Sequence, residues 1–421
     1  MTKKIAIIGS GISGLACAHY LQNKYAVTVY EKNDYVGGHT ATKQVQVAEG
    51  EFNIDTGFIV FNNWTYPNFI RLINELGVAS IDTEMGFSVS CENTGLEYSG
   101  ASLATMFAQK RNWFNPVHWK FIFDIVKFNR VSKERLAQGT LPENLSLGDY
   151  IQELGLSQRF VKQYLIPMGA AIWSSGLAKM YEFPALYFIR FFKNHGLLNI
   201  DDRPQWAVIK GGSKAYVDAI LQQAKFDIRL SQPVSNIKRS GESWQLTDAS
   251  GEMIEYEHVI FACHSDEAAA LLDSVEHPAS SVLQAIAYQA NEVVLHTDTS
   301  LLPRKQSTWS SWNYRLKKGE SERATLSYSM NILQRLNCDT QFVVTLNDTA
   351  NIDPKAILGR YQYAHPVYDR GTLAAQSKRS EINGNSNLWF CGAYWYAGFH
   401  EDGIRSALDV VNQLGESLEI L

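Results

Sequence analysis

Apolar residues near the start of the chain come in short unbroken runs rather than in alternation. Lys4–Ile8 predicts a strand covered on both faces, which is how a buried parallel strand reads. It runs into Gly9-Ser10-Gly11-Ile12-Ser13-Gly14, after which the apolar spacing becomes helical over residues 15–22. A second run, Ala26–Tyr30, stops at Glu31. Much later, residues 233–237, 243–247 and 258–263 read as strands. Residues 388–392 form one more strand running into a glycine, and 403–414 a final helix.

Strand, glycine turn and helix in that order make a dinucleotide-binding start. Gly9 makes the tight turn, Gly11 lets the backbone approach a pyrophosphate, and Gly14 allows the helix to pack closely on the sheet. The helix N-terminus then offers unpaired N–H groups and a positive dipole end to the phosphates. Glu31, seventeen residues after Gly14, stands where a carboxylate accepts from the adenosine ribose hydroxyls and disfavours a 2′-phosphate. Ser13 within the loop and Lys32 beside the acid are further candidate cofactor contacts.

At 421 residues the chain is comfortable for two domains with a site between them. A net charge of −5, with no basic tail or zinc spacing, points away from nucleic acid. The five cysteines are scattered and form no C-x-x-C pair, which fits a reduced compartment and implies no metal site. Residues 1–18 have the outline of a signal peptide, but the glycine loop lies inside that run. With no other stretch long enough to span a bilayer, the expectation is a cytoplasmic protein.

Six residues past Glu31 stands Val36-Gly37-Gly38-His39, a doublet whose bare backbone suits an anion. Near the other end are Leu388-Trp389-Phe390-Cys391-Gly392 and Gly398-Phe399-His400-Glu401-Asp402-Gly403-Ile404-Arg405-Ser406-Ala407. Between them lies Gln205-Trp206-Ala207-Val208-Ile209-Lys210-Gly211-Gly212-Ser213. In these motifs the chain resembles the superfamily of flavin-containing amine oxidases, phytoene desaturases and protoporphyrinogen oxidases.

The resemblance implies an α/β fold with a Rossmann-type FAD-binding domain of the glutathione-reductase/amine-oxidase kind and a discontinuous α+β substrate domain. Residues 1–62, 205–265 and 385–421 would form the first domain, and 63–204 with 266–384 the second. It also implies FAD, expected to be non-covalent, although His39 or Cys391 could attach it. Gly37, Gly38 and His39 would lie beside the pyrophosphate or flavin, and Val234 would offer backbone to the adenine. Gly392, Glu401, Asp402, Gly403 and Ile404 would meet the ribityl chain and the flavin edge, where a helix N-terminus stabilises reduced flavin. The tract at 164–175 and the phrase F-C-G-A-Y-W-Y-A-G-F-H-E-D-G most resemble a bacterial branch that often accompanies cyclopropane-fatty-acid synthase-like enzymes, which implies lipid chemistry.

In the amine oxidases of this superfamily a Tyr occupies the position of Phe399, and their active-site lysine has no identifiable counterpart here. Phe399, with Tyr394, Trp395 or Tyr396, would make an apolar wall suited to a lipophilic, acyl-type substrate. His400 is the first candidate for proton transfer or flavin hydrogen bonding, and His365 the second. Ser329, Met330 and Asn331 follow a predicted strand and are candidate pocket residues. Three readings stand beside an oxidase, desaturase or dehydrogenase of a lipophilic substrate. One is an amine oxidase, and another is a lipid- or protein-binding module. The last is a non-redox flavin enzyme needing an arginine pair such as Arg190 and Arg203.

Residues 104–135 mix seven aromatics with seven basic and two acidic residues. They read either as a core helix with solvated lysines or as a peripheral contact with the inner face of a membrane. The oligomeric state leaves no signature.

Overall fold

The computed structural model describes residues 2–173, 176–318, 325–415 and 418–421. Its organising element is a five-stranded sheet. The strand order is Asp227–Arg229, Ala26–Tyr30, Lys4–Ile8, His258–Phe261 and Leu388–Phe390, and every neighbouring pair is parallel. The unbroken apolar runs are explained by cover on both faces. Ile5, Ile7, Val27, Val29 and Ile260 pack under the helices Ile12–Leu21, Lys214–Gln222 and His400–Gln413. Ala6, Ile8, Tyr30, Val259 and Phe261 pack against the three-stranded sheet Val234–Ser240, Ser243–Asp248 and Met253–Tyr256.

Two expected boundaries shift. The first helix begins at Ile12, because Gly11 already serves as its N-cap with extended backbone. The last begins at His400, three residues before Gly403, because Asp402 accepts from the Phe399 N–H and so starts the helix there.

A seven-stranded mixed sheet forms the second body. Its order is Ile357–Pro366, Tyr288–His296, Val343–Leu346, Leu326–Ser329, Trp312–Leu316, Phe87–Cys91 and Leu96–Ser99, with only Trp312–Leu316 and Phe87–Cys91 parallel. Its far end packs on the helices Pro116–Gln138, Leu147–Glu153, Ile166–Trp173 and Ala185–Asn194. A small sheet, Val60–Asn62, Trp206–Ile209 and Ser80–Thr83, stitches the bodies together. In it residues 80–83, assigned from sequence to the second domain, hydrogen-bond to 206–209 of the first.

The 104–135 stretch divides between its two readings. Phe107, Phe121 and Phe128 are core, while Trp113, Phe114 and Phe123 are exposed. Among the described residues no helix is long and apolar enough to cross a membrane.

Candidate cofactor and substrate site

A cavity of about 440 Å³ runs from the glycine loop into the aromatic helices of the second body. Gly11, Ser13, Gly37, His39, Gly392 and Phe399 line one side, and Tyr164, Met168, Ala171, Ile172 and Phe191 line the other.

The two glycine turns form a bare-backbone cradle. The Gly37 N–H donates to the Ser10 carbonyl at 3.1 Å, and a Cβ on Gly38 (φ +58°) would sit 3.2 Å from Gly11 Cα. A Cβ on Gly11 would meet nothing within 4 Å, so its open side is the cavity. Backbone amides with no side chain in front of them are what a diphosphate requires, and the residues therefore fit FAD. Glu31 is buried and held rigidly: Oε2 accepts from Ser10 N–H (3.0 Å) and Oγ (2.6 Å), and Oε1 from Asn33 N–H (2.9 Å) and Nδ2 (2.8 Å). Ser13 Oγ donates to the Gly403 carbonyl at 2.9 Å and pins the first helix to the last. Lys32 is ion-paired with Glu267, and Val234 is packed in the core outside the cavity wall.

Five histidines among the described residues line this cavity: His195 stacks on Phe191 at 3.8 Å on the far side, and four others from separate segments stand beside the cradle. The His39 ring centre lies 5.7 Å from both His264 and His365, and its Nε2 is buried without a partner. Burial, helped by the neighbouring imidazoles, pushes His39 down to about 3. His365 Nδ1 is 3.3 Å from Asn291 Nδ2, and burial lowers it to about 4. His400 stacks on Phe58 at 3.6 Å, its Nε2 lies 2.9 Å from the Tyr216 hydroxyl, and burial lowers it to about 3. At neutral pH these rings are uncharged. They can exchange hydrogen bonds but cannot act as standing cations.

The Tyr216 hydroxyl also bonds Thr40 Oγ1 at 2.5 Å, linking the glycine-doublet turn to the closing helix. Tyr216→Phe breaks both bonds and leaves two buried polar groups unpaired. The expected cost is about 1–2 kcal/mol in chemical denaturation with flavin content unchanged.

Three side chains expected at the cofactor go elsewhere. Starting the helix at His400 turns positions 401 and 404 inward. Glu401 accepts from Asn68 N–H (3.1 Å), Asn68 Nδ2 (2.6 Å) and Phe69 N–H (2.9 Å), so it caps the helix Pro67–Glu75. Ile404 is core. Asp402 Oδ2 accepts from the Ala397 and Phe399 N–H groups at 3.1 and 2.9 Å, fixing the turn that carries Gly398 and Phe399. Ser329, Met330 and Asn331 do not line the cavity, because Met330–Leu333 coils into a helix that buries Met330; Tyr328 and Leu333 line it instead. Tyr394 joins Phe399 in the wall, whereas Trp395, Tyr396 and Cys391 lie outside it. Of the two residues offered for covalent attachment, His39 reaches the cavity.

The sequence reading missed His264, Tyr288 and Tyr368. His264 stands three residues past the parallel strand His258–Phe261, as the N-cap of Ser265–Leu271 at the sheet's carboxyl edge, a recognisable signal, and it stacks on Tyr288 at 4.4 Å. The two tyrosines come from distant segments with no local signature. Arg203 lines the cavity but Arg190 is exposed and outside it, so the arginine pair of a diphosphate-sugar site is not formed. Among the described residues no Lys, Asp or Glu lines the cavity, and no three His, Cys, Asp or Glu side chains converge as metal ligands. Residues 174–175, at the end of the 164–175 tract, lie outside the described residues.

Residues 12–341 match the family described as flavin containing amine oxidoreductase. The chain is similar to 1-hydroxycarotenoid 3,4-desaturase of Flavobacterium sp. (strain P99-3), with 41% identity over 97 residues, covering 23% of this chain and 18% of that one. It is also similar to prenylcysteine oxidase 1 of Homo sapiens, with 25% identity over 261 residues, covering 53% and 46%. The chain thus spans less than half the length of these curated relatives. Cyclohexylamine oxidase from Brevibacterium oxydans IH-35A shares the fold, with a TM-score of 0.67 over 99% of this chain and 100% of that one at 15% identity. The family anticipated from the glycine doublet and the closing motif is the one matched: the chain belongs to the flavin containing amine oxidoreductases, and FAD is its cofactor.

Proposed function

We propose that the protein is an FAD-dependent oxidoreductase that oxidises a lipophilic substrate of the acyl-chain kind, held between the cofactor cradle and the aromatic helices. The observation that carries this reading is the wall of the cavity. It joins the glycine cradle to Tyr164, Met168, Ala171, Ile172 and Phe191, and its one charged residue among those described is Arg203. A substrate ammonium would find no carboxylate there, whereas an acyl chain would bury apolar surface along the whole wall. Two relatives are named for a hydroxycarotenoid and for prenylcysteine, which accords with an apolar substrate. In this reading residues 1–62, 205–265 and 385–421 serve the cofactor, and 63–204 with 266–384 the substrate.

Bound FAD would supply the acceptor, taking a hydride at N5. The protein's part is then placement and exclusion of water. Phe399, stacked 4.9 Å from Phe191, bounds the chain-binding side. His400 and His365 are neutral groups that can donate or accept a hydrogen bond at an imidazole nitrogen.

The test is anaerobic addition of acyl phospholipids, and separately of small amines and polyamines, to the yellow protein. Bleaching by lipid is expected. Bleaching by amines alone overturns the substrate assignment. Ala171→Trp, which places an indole in the cavity, should retain flavin and slow bleaching about tenfold through misplacement of the substrate.

A further inference from the structure

We propose that the surface formed by residues 103–130 docks the protein on an anionic lipid bilayer. Thirteen large apolar side chains are exposed among the described residues, and six of them fall in this one stretch. These are Leu103 (59% exposed), Trp113 (44%), Phe114 (92%), Val117 (52%), Phe123 (64%) and Val126 (45%).

Ring contacts connect Trp113 with Phe123, and Phe114, Val117 and Val126 belong to the same turn or the same helix. Phe107 stacks on Trp113 at 4.2 Å, Trp113 meets Trp119 at 6.1 Å, and Trp119 meets Phe123 at 6.4 Å along the outer side of Pro116–Gln138. Phe107, Phe121 and Phe128 fill the core beneath, and the exposed residues lie outside it. Contiguous exposed apolar surface of this kind marks a contact with an apolar phase.

Charge selects the partner. Lys110 and Arg111 stand in the same turn as Trp113 and Phe114, and Lys120, Lys127 and Arg130 share the exposed side of the helix. Between residues 104 and 135 seven basic residues face two acids, a net charge of +5: Asp124 is buried and paired with Lys120, and the exposed Glu134 lies 3.9 Å from Arg130. Indole and phenyl rings flanked by lysines and arginines, with a net positive charge, match a headgroup boundary rich in anionic lipid. The C-terminal half of the same helix touches a neighbour of one cavity residue. Lys133 Nζ lies 3.4 Å from Asn199 Oδ1, and the Asn199 carbonyl accepts from Nε of Arg203, which lines the cavity.

The test is sedimentation of the flavin-loaded full chain with vesicles of phosphatidylglycerol and phosphatidylcholine, against phosphatidylcholine alone. Saturated lipids and a binding readout keep the result separate from the redox proposal. At least tenfold tighter binding to the anionic vesicles is expected, weakening at high salt. The double variant Phe114→Ser/Phe123→Ser should lose about tenfold in binding with flavin content and Tm unchanged, and Lys110→Glu/Arg111→Glu should remove the anionic preference. Equal binding to both vesicle types, or wild-type binding by the phenylalanine double variant, overturns the proposal. So does a dimer in sedimentation velocity that the double variant turns into monomer, since a second copy would then cover the surface.

Discussion

Gly11→Ala is expected to fold as the wild type does and to purify nearly colourless. The residue has φ −66° and ψ 179°, extended backbone that alanine adopts freely, and its Cβ would touch nothing within 4 Å. The fold should not register the change. The cavity side of Gly11 is nevertheless where the diphosphate must approach the helix N-terminus most closely, and a methyl group there pushes it off the amides. FAD affinity should fall about a hundredfold, or about 3 kcal/mol. Gly14→Ala provides the contrast. Its Cβ would lie 2.0 Å from the Gly9 carbonyl oxygen and 3.2 Å from Ala262 Cβ, so helix and loop must separate. Overpacking against backbone should cost about 3 kcal/mol and lower the Tm of the apoprotein as well. FAD titration followed by fluorescence, with thermal unfolding of both apoproteins, separates the two cases. Wild-type affinity in Gly11→Ala would remove the cradle from this loop.

The contrast between these glycines also marks how far the sequence could be read. Lys4–Ile8 and Ala26–Tyr30 were bounded correctly because a strand buried on both faces is a local signal, and the glycine spacing between them is fixed by the turn itself. The doublet at Gly37-Gly38 and the closing motif pointed to the family for the same reason. What resisted reading was made by convergence. His39, His264, His365 and His400 come from a loop, a helix cap, a sheet edge and a helix start, and no periodicity places such rings around one cavity. Glu401 and Asp402 looked like cofactor ligands because they sit in the closing motif. Their carboxylates are claimed by backbone amides at 68–69 and at 397 and 399, which only the tertiary packing brings within reach. The aromatic stretch at 104–135 divides residue by residue, since opposite faces of the helix Pro116–Gln138 meet core and solvent.

Asp402 yields the other large effect, and its sign depends on the substitution. Burial raises its carboxyl to about 7, and the charge of Glu401 adds to this against the bonds from the Phe399 and Ala397 amides. In the unfolded chain the same group titrates near about 4. Between those values the native state holds a proton that the unfolded chain has released, so this group's contribution to stability is lost as pH rises from about 4 to about 7 and is flat above that. Asp402→Asn cannot titrate and keeps an oxygen for both N–H groups. It should match the wild type near pH 4 and exceed it at pH 8, by up to about 4 kcal/mol for a shift of this size. Asp402→Ala removes the acceptor and leaves two amides unpaired under Phe399, so it should be less stable than Asp402→Asn at every pH by about 3 kcal/mol. Asp55, raised by burial to about 6, titrates in the same window, while the lowered histidines oppose it at acid pH. The informative quantity is therefore the difference in unfolding free energy between variant and wild type from pH 4 to 8.5. A flat difference for Asp402→Asn would mean that the folded carboxyl titrates no higher than in the unfolded chain. Because Asp402 anchors the turn that presents Gly398 and Phe399 to the cavity, Asp402→Ala should also loosen the chain-binding wall. Its flavin should then bleach more slowly with the same substrate, whereas in Asp402→Asn it should bleach at the wild-type rate.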